Sequence, residues 1–444
     1  MASDFCHQFL TRPRYRISLL LMCTLVLALP ILLQERVYPN RWTSLQAPIA
    51  QPPDPAHLSH ILFPGIPASE DRSWLSENER AMYSLFQCLE QANCGENQTK
   101  VVILAASPFW GLLRGENDGE AIWANSTLMA LRRLGYSYLY SINQERTSQL
   151  YAMFRALVLV VVVDAPAAHE CFHDEDCVLL GHKTHGIPAW KMLSWHFWDS
   201  PDHPLGRKWT LSPEDYQASA GNTYLGYSIE PQCSTQTFIP HAQRKPQAYV
   251  LAKEAKYFAP TDRAYSPESF DAASAAAGLQ FLAGVRERAL PEYFPRNVTN
   301  VGFMSSTRFY EVLAESRVLV GVGVPATSPT PYEALCLGVP FINPILLWNA
   351  EDPTNRTQWV AQHATLKFLD PPYVYNVFKG DEAGFVDAVV SASSHPIDSF
   401  VLEQMRTDAV EARVAAMVER DWKGEAVRLL AERQASGVGE TFWL

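Results

Sequence analysis

LVGVGVPATSPTPYEALCLGVPFINP, residues 319–344, is the stretch from which the rest of the chain is read. An apolar run over residues 317–322 ends in a loop of Gly, Pro, Ser and Thr. A short helix opens at Thr330 or Pro331 and spans residues 332–337, Gly338 stops it, and an apolar strand returns over residues 339–343. This is a strand–loop–helix–strand unit of a parallel sheet. Thr330, Pro331 and Glu333 fit a capping box, with Pro at the first helical position. A helix N-terminus preceded by the hydroxyls of Ser328 and Thr330 suits a diphosphate, and Glu333 in the first turn suits a ribose diol. Spacing alone favours the plainer alternative, a Glu333 that only caps its helix.

The same pattern extends upstream. Residues 248–252 read as a strand, 266–276 as a helix, 280–285 as a strand and 305–315 as a helix. An earlier set begins with a helix over 74–89, followed by a buried strand at 101–104, a loop at 107–118, a helix at 120–134 stopped by Gly135, and a Val/Leu run at 157–163 that ends in Asp164. Continuous Val/Leu runs alternating with helices indicate parallel sheets covered on both faces. Residues 165–246, rich in Trp and His, read as an irregular cleft-lining insertion, and residues 398–435 as a helical tail. The fold class is therefore α/β, with two Rossmann-like domains (76–246 and 247–390) facing one another, followed by C-terminal helices over 391–444. A ligand crevice is expected at the carboxyl ends of the strands.

Residues 17–33 carry no charge and follow Arg12, Arg14 and Arg16. This predicts a transmembrane anchor with residues 1–16 cytosolic and everything after Leu33 lumenal. A cleaved signal peptide is the rival, disfavoured because Gln34, Glu35 and Arg36 follow the span instead of a small-residue cleavage site. Residues 34–75 are Pro-rich and read as a stem. Sequons begin at Asn97, Asn125, Asn297 and Asn355, and the close pairs Cys88/Cys94 and Cys171/Cys177 suit small disulfide loops in an oxidising compartment. Whether Cys233 and Cys336 pair is left open. With 444 residues, 48% of them apolar, the chain has ample core. Forty-seven acidic against 36 basic residues give a net charge of −11, which argues against a nucleic-acid partner. His169 and His173 have a metal-ligand spacing on a helix, beside Cys171 and Cys177, but the cysteines are better used as a disulfide, so no metal site is expected.

The 319–344 segment resembles the donor-nucleotide motif of GT-B fold glycosyltransferases: Glu333-Ala334, a Gly four positions on, then Val339-Pro340. More narrowly, it resembles the α-1,6-mannosylglycoprotein β-1,6-N-acetylglucosaminyltransferases, the N-acetylglucosaminyltransferase V family. Residues 206–227 (GRKWTLSPEDYQASAGNTYLGY), 301–323 (VGFMSSTRFYEVLAESRVLVGVG) and 362–381 fit that family in order, as does the Gly119-Glu120 region. After Asn343-Pro344 the chain departs from the family, with ILLWNA at 345–350 in place of a lysine-bearing stretch. The resemblance implies transfer of N-acetylglucosamine from the co-substrate UDP-GlcNAc to a mannose hydroxyl of protein N-glycans, by inversion and without a metal or other cofactor. It implies a single-pass type II protein of the Golgi membrane. It makes Glu120 the general base and assigns the donor to Lys253, Ser328, Thr330 and Glu333. Trp209, inside a family-like motif, becomes the sugar-facing aromatic. A cleft-side glycan at Asn125 would obstruct an acceptor, so Asn97, Asn297 and Asn355 are the expected glycosylation sites. Three alternatives stand beside this reading: a transferase of another UDP-sugar, a catalytically silent glycan-binding relative, and a metal-dependent lumenal hydrolase built on the His cluster.

Overall fold

The computed structural model describes residues 71–198, 203–216 and 221–444. The candidate anchor at 17–33, its cytosolic tail and nearly all of the stem lie outside the described residues. Among the described residues no helix is long and apolar enough to cross a membrane.

Helix α1 (Leu75–Gln91) precedes the first sheet and is closed by the Cys88–Cys94 disulfide. In chain order there follow β1 (Val101–Leu104), α2 (Ser107–Leu113), α3 (Gly119–Arg133), β2 (Ser137–Tyr140), α4 (Gln144–Phe154), β3 (Val158–Asp164), α5 (Ala165–His173), β4 (Met192–Trp195), β5 (Thr210–Ser212), β6 (Thr223–Tyr224) and the short α6 (Glu230–Cys233). The six strands are all parallel, in the order β2-β1-β3-β4-β5-β6. Two expectations are corrected here. Residues 165–246 are not an insertion, because they supply β4, β5 and β6. Those strands are two to four residues long and include Ser and Thr, so no Val/Ile run announces them. Residues 107–118 are not all loop, because Pro108 at the start of α2 presets a helical turn.

The second sheet contains β7 (Gln247–Val250), β8 (Gln280–Ala283), β9 (Val298–Asn300), β10 (Val318–Val320), β11 (Phe341–Leu347), β12 (Val360–Ala361) and β13 (Val374–Phe378). Its parallel strands run β13-β11-β10-β7-β8-β9, and β12 pairs antiparallel with the end of β11. Helices α7 (Pro267–Ala277), α8 (Ser306–Ala314), α9 (Thr330–Cys336) and α10 (Glu382–Ser394) connect or flank them. Strand order reverses between β7 and β10 here and between β1 and β3 in the first sheet. In open α/β sheets that is where ligands bind, beyond the carboxyl ends of the strands.

One apolar cluster runs from the first sheet through Tyr332 and Leu335 of α9 to Leu319 and Phe341 of the second. A separate cluster packs α7 and α10 on the other side of that sheet. The chain then returns to the first sheet. Helix α11 (Thr407–Glu419) packs on α3, and Trp422, opening α12 (Trp422–Ser436), meets Trp209 at 5.7 Å between ring centroids.

Candidate active site

Both reversals in strand order lead to residues that the sequence singles out. From β1 the chain passes through α2 and a polar loop to the N-terminus of α3. Asp118 caps that helix, its carboxylate accepting the Ala121 N–H at 2.9 Å, and Glu120 stands in the first turn. Trp123 of α3 stacks on Trp195 of β4 at 3.4 Å, which fixes the helix against the sheet. Asp164, at the end of β3, accepts the Ser107 N–H and hydroxyl at 3.0–3.1 Å. The Glu120 side chain reaches solvent, yet its surroundings shift its acidity. Partial burial raises its carboxyl above the ordinary value, the negative charges of Asp118, Asp164 and Glu116 push the same way, and His196 opposes them. A carboxyl perturbed in this way beyond the carboxyl ends of a parallel sheet is a general-base candidate.

On the second sheet, Lys253 follows β7 and is exposed, and the loop 321–329 after β10 leads into α9. A Cβ on Gly119 would meet Pro329 Cδ at 3.1 Å and Phe197 at 3.7 Å, so the start of α3 lies directly against the start of α9. Asn117 of the same polar loop hydrogen-bonds Ser306 at the start of α8. The carboxyl ends of the two sheets thus bring Glu120 close to the Ser328–Glu333 turn.

The expected capping box does not form. Pro329 occupies the N-cap position with helical dihedrals and Thr330 is the first helical residue. The Ser328 hydroxyl receives the Thr330 N–H at 3.4 Å and lies 3.3 Å from the Thr330 hydroxyl. Glu333 is buried (6% exposed) and turned into the protein, where it accepts the hydroxyl of Tyr310 from α8. Its burial raises the carboxyl's pKa, which Tyr310, the positive charge of Lys253 and the Thr330 hydroxyl counteract. The sequence pattern could not show that a neighbouring helix supplies a better partner than the backbone N–H of the cap.

Trp209 is corrected as well. It is 3% exposed, donates its indole N–H to the Trp190 carbonyl and packs on His203 and Trp422. Among Trp190, Trp195, Trp198 and Trp209, the most open is Trp198 (46% exposed), just beyond the carboxyl end of β4 and beside Phe197. His173 is engaged by Glu440, and Cys171 and Cys177 form a disulfide, so the His cluster is not gathered round a cation; among the described residues no group of three or more His, Cys, Asp or Glu is placed to hold one. Asn125 and Asn297 are exposed, whereas the Asn97 amide donates to the Leu134 carbonyl at 2.8 Å and Asn355 accepts from Thr357.

Two features escaped the sequence reading. Cys233 and Cys336 are paired, joining α6 to the last turn of α9. Glu214, 1% exposed, accepts hydroxyl hydrogen bonds from Thr365 (2.5 Å), Tyr332 of α9 (2.7 Å) and Tyr227 (3.3 Å). Burial pushes its carboxyl up to about 7. Glu214 lies within the 206–227 stretch, but no local pattern there shows that two of its donors come from the other half of the chain.

The family model described as glycosyltransferase family 18 matches residues 186–426. The chain is similar to the human alpha-1,6-mannosylglycoprotein 6-beta-N-acetylglucosaminyltransferase A, with 22% identity over 230 residues, covering 48% of this chain and 30% of that protein. It is also similar to the alpha-1,6-mannosylglycoprotein 6-beta-N-acetylglucosaminyltransferase of Caenorhabditis elegans, with 26% identity over 254 residues, covering 54% of this chain and 36% of that one. The match therefore spans about a third of the length of these curated relatives. Among solved structures, the calicheamicin glycosyltransferase CalG4 aligns over 77% of this chain and 98% of its own, at 13% identity and a TM-score of 0.33.

Proposed function

The chain belongs to glycosyltransferase family 18, and from that premise we propose that it is a GT-B enzyme. In this reading it moves N-acetylglucosamine from UDP-GlcNAc to a mannose hydroxyl of protein N-glycans, making a β-1,6 branch with inversion. The observation that carries the reading is the contact of Gly119 with Pro329, which sets a carboxylate on one sheet against the hydroxyl-bearing turn on the other. That proximity supports a base and a diphosphate site serving one reacting carbon.

The proposed step is a single displacement. Glu120 takes the proton of the acceptor hydroxyl as that oxygen attacks the anomeric carbon, and the bond from that carbon to the diphosphate oxygen breaks on the far face. UDP departs with its negative charge held by Lys253 and by the hydroxyls of Ser328 and Thr330. No metal is assigned to this step, so activity is expected to persist in EDTA. The sugar-stacking role goes to Trp198 and not to the buried Trp209, because Trp198 is exposed just beyond the carboxyl end of β4. Glu333, being buried, is assigned to the ribose only through movement of its side chain on binding.

The test is incubation of the full chain with a panel of UDP-sugars and mannose-terminated acceptors. Transfer from UDP-GlcNAc alone is expected. UDP binding without transfer to any acceptor would leave a glycan-binding relative. We further propose a Golgi type II topology anchored by residues 17–33. In intact microsomes the body after Leu33 should resist protease, and its digestion without detergent would sink that topology.

A further inference from the structure

The loop between β10 and α9 is held by a residue outside it. Gln362, directly after β12, is 1% exposed, and its backbone and side-chain polar groups are all used. Its N–H donates to the Pro344 carbonyl at 2.9 Å, fixing it to β11. Its other three groups face the loop: its carbonyl accepts the Thr327 N–H at 2.8 Å, its Oε1 accepts the Gly323 N–H at 2.8 Å, and its Nε2 donates to the Pro325 carbonyl at 3.1 Å. The fit leaves no spare room, since a Cβ on Gly321 would lie 2.3 Å from Gln362 Oε1. Thr327, just before Ser328, has φ +57°. A non-glycine residue keeps such a left-handed conformation only where its surroundings impose it.

The residues after Gln362 continue the same strap. The His363 N–H donates to Asn343 Oδ1 at 2.9 Å, and Asn343 Nδ2 returns to the His363 carbonyl at 3.2 Å. The His363 ring is buried and stands edge-on to Tyr332 of α9 at 4.7 Å, and Thr365 reaches Glu214. Residues 362–365 therefore touch both the loop that ends in Ser328 and the helix that follows it.

We propose that Gln362 is a positioning residue for the donor: its buried amide sets the backbone of residues 323–327, so that the Ser328 and Thr330 hydroxyls are presented to the diphosphate. The proposal rests on the donor reading given above. Gln362 touches no substrate atom in this account. It acts through the loop, where an error of about 1 Å in a contact group can cost up to roughly 100-fold.

Gln362→Met keeps the side chain's length but removes both side-chain hydrogen bonds. The full-length protein is titrated calorimetrically with UDP, and its KM values for UDP-GlcNAc and acceptor are measured separately. The control is Val414→Ala, a cavity in α11 far along the chain from the loop, with both variants ranked by thermal stability. Expected are a UDP affinity about tenfold weaker and a donor KM about tenfold higher for Gln362→Met, with acceptor KM unchanged and both KM values unchanged in Val414→Ala. Should Gln362→Met fail to fold, Gln362→Glu is titrated with UDP in its place; it keeps the Gly323 contact but cannot donate to Pro325, and weakened affinity is again expected. UDP binding by a folded Gln362 variant as tight as wild type, or an equal rise in donor KM in Val414→Ala, overturns the proposal alone. A wild-type protein that binds no UDP overturns the donor reading, and the proposal with it.

Discussion

Glu120 has a raised carboxyl pKa, and the sign of the resulting pH effect is fixed by its proposed role. A base must be deprotonated to act, so kcat/KM should rise with pH along a limb placed higher than an ordinary Glu would give. Glu120→Gln removes the proton acceptor and the limb together; turnover should fall by roughly 10²-fold or more while calorimetric UDP affinity stays put. A folded variant that transfers sugar at near the wild-type rate would take Glu120 out of the mechanism. Asp118 offers a sharper probe, because it both caps α3 and adds a like charge next to Glu120. Asn is an equally good N-cap without the charge, so Asp118→Asn should move the limb to lower pH with little loss of stability. An unmoved limb would mean that Asp118's charge does not reach the base. Glu333 was legible only in part. Its spacing from Thr330 was legible, but its actual partner, Tyr310, comes from a helix 23 positions upstream. Glu333→Ala strands that buried hydroxyl and should cost on the order of 1–3 kcal/mol in chemical denaturation. UDP affinity unchanged in the folded variant would leave Glu333 a purely structural residue.

Helix α9 has only seven residues, too few to be stable by itself, and it is fastened from several directions. Pro329 abuts Gly119, Tyr332 donates to Glu214, Glu333 accepts from Tyr310, and Cys336 is bonded to Cys233. The disulfide closes a separation of 103 residues, most of the second sheet's early strands included. Loop-closure entropy then gives it about 2–5 kcal/mol of stabilisation. Cys233→Ser with Cys336→Ser should lower the thermal midpoint accordingly, and a midpoint equal to wild type would show that the packing of α9 suffices. Elements of this kind divide what sequence can show from what it cannot. The buried runs of β3 and β10 were legible because each carries its own local signal, unbroken Val/Leu. Strands β4, β5 and β6 carry no such signal, being short and partly polar. They extend the sheet because Trp195 stacks on Trp123 and Leu211 finds a neighbour in an existing edge, a tertiary effect. The return of α11 and α12 to the first sheet was likewise hidden: their length could be read, but not the face they cover.

The two sheets share a buried acid. Glu214 belongs to the half that bears Glu120, while Tyr332 and Thr365, two of its three donors, belong to the other. Its folded pKa of about 7 stands above the ordinary value of 4.5, so the folded state binds this proton more tightly than the unfolded chain does. The stability it contributes is therefore fully present below about 4.5 and is lost as pH rises through about 7. A shift of that size corresponds to up to about 3 kcal/mol, since one unit is worth about 1.4 kcal/mol. Asp215 adds to the shift, while the three hydroxyls limit it by stabilising the carboxylate. Other groups titrate over the same interval, so the wild-type curve by itself cannot isolate Glu214; the comparison with Glu214→Gln can. The amide stays neutral throughout and still accepts from one or two of the hydroxyls. Wild type should lose stability relative to Glu214→Gln between pH 5 and pH 8, by denaturant unfolding at each pH, with the difference growing to about 3 kcal/mol. Parallel curves would mean that Glu214 is ionised in the folded protein throughout, and that the junction between the halves is indifferent to pH.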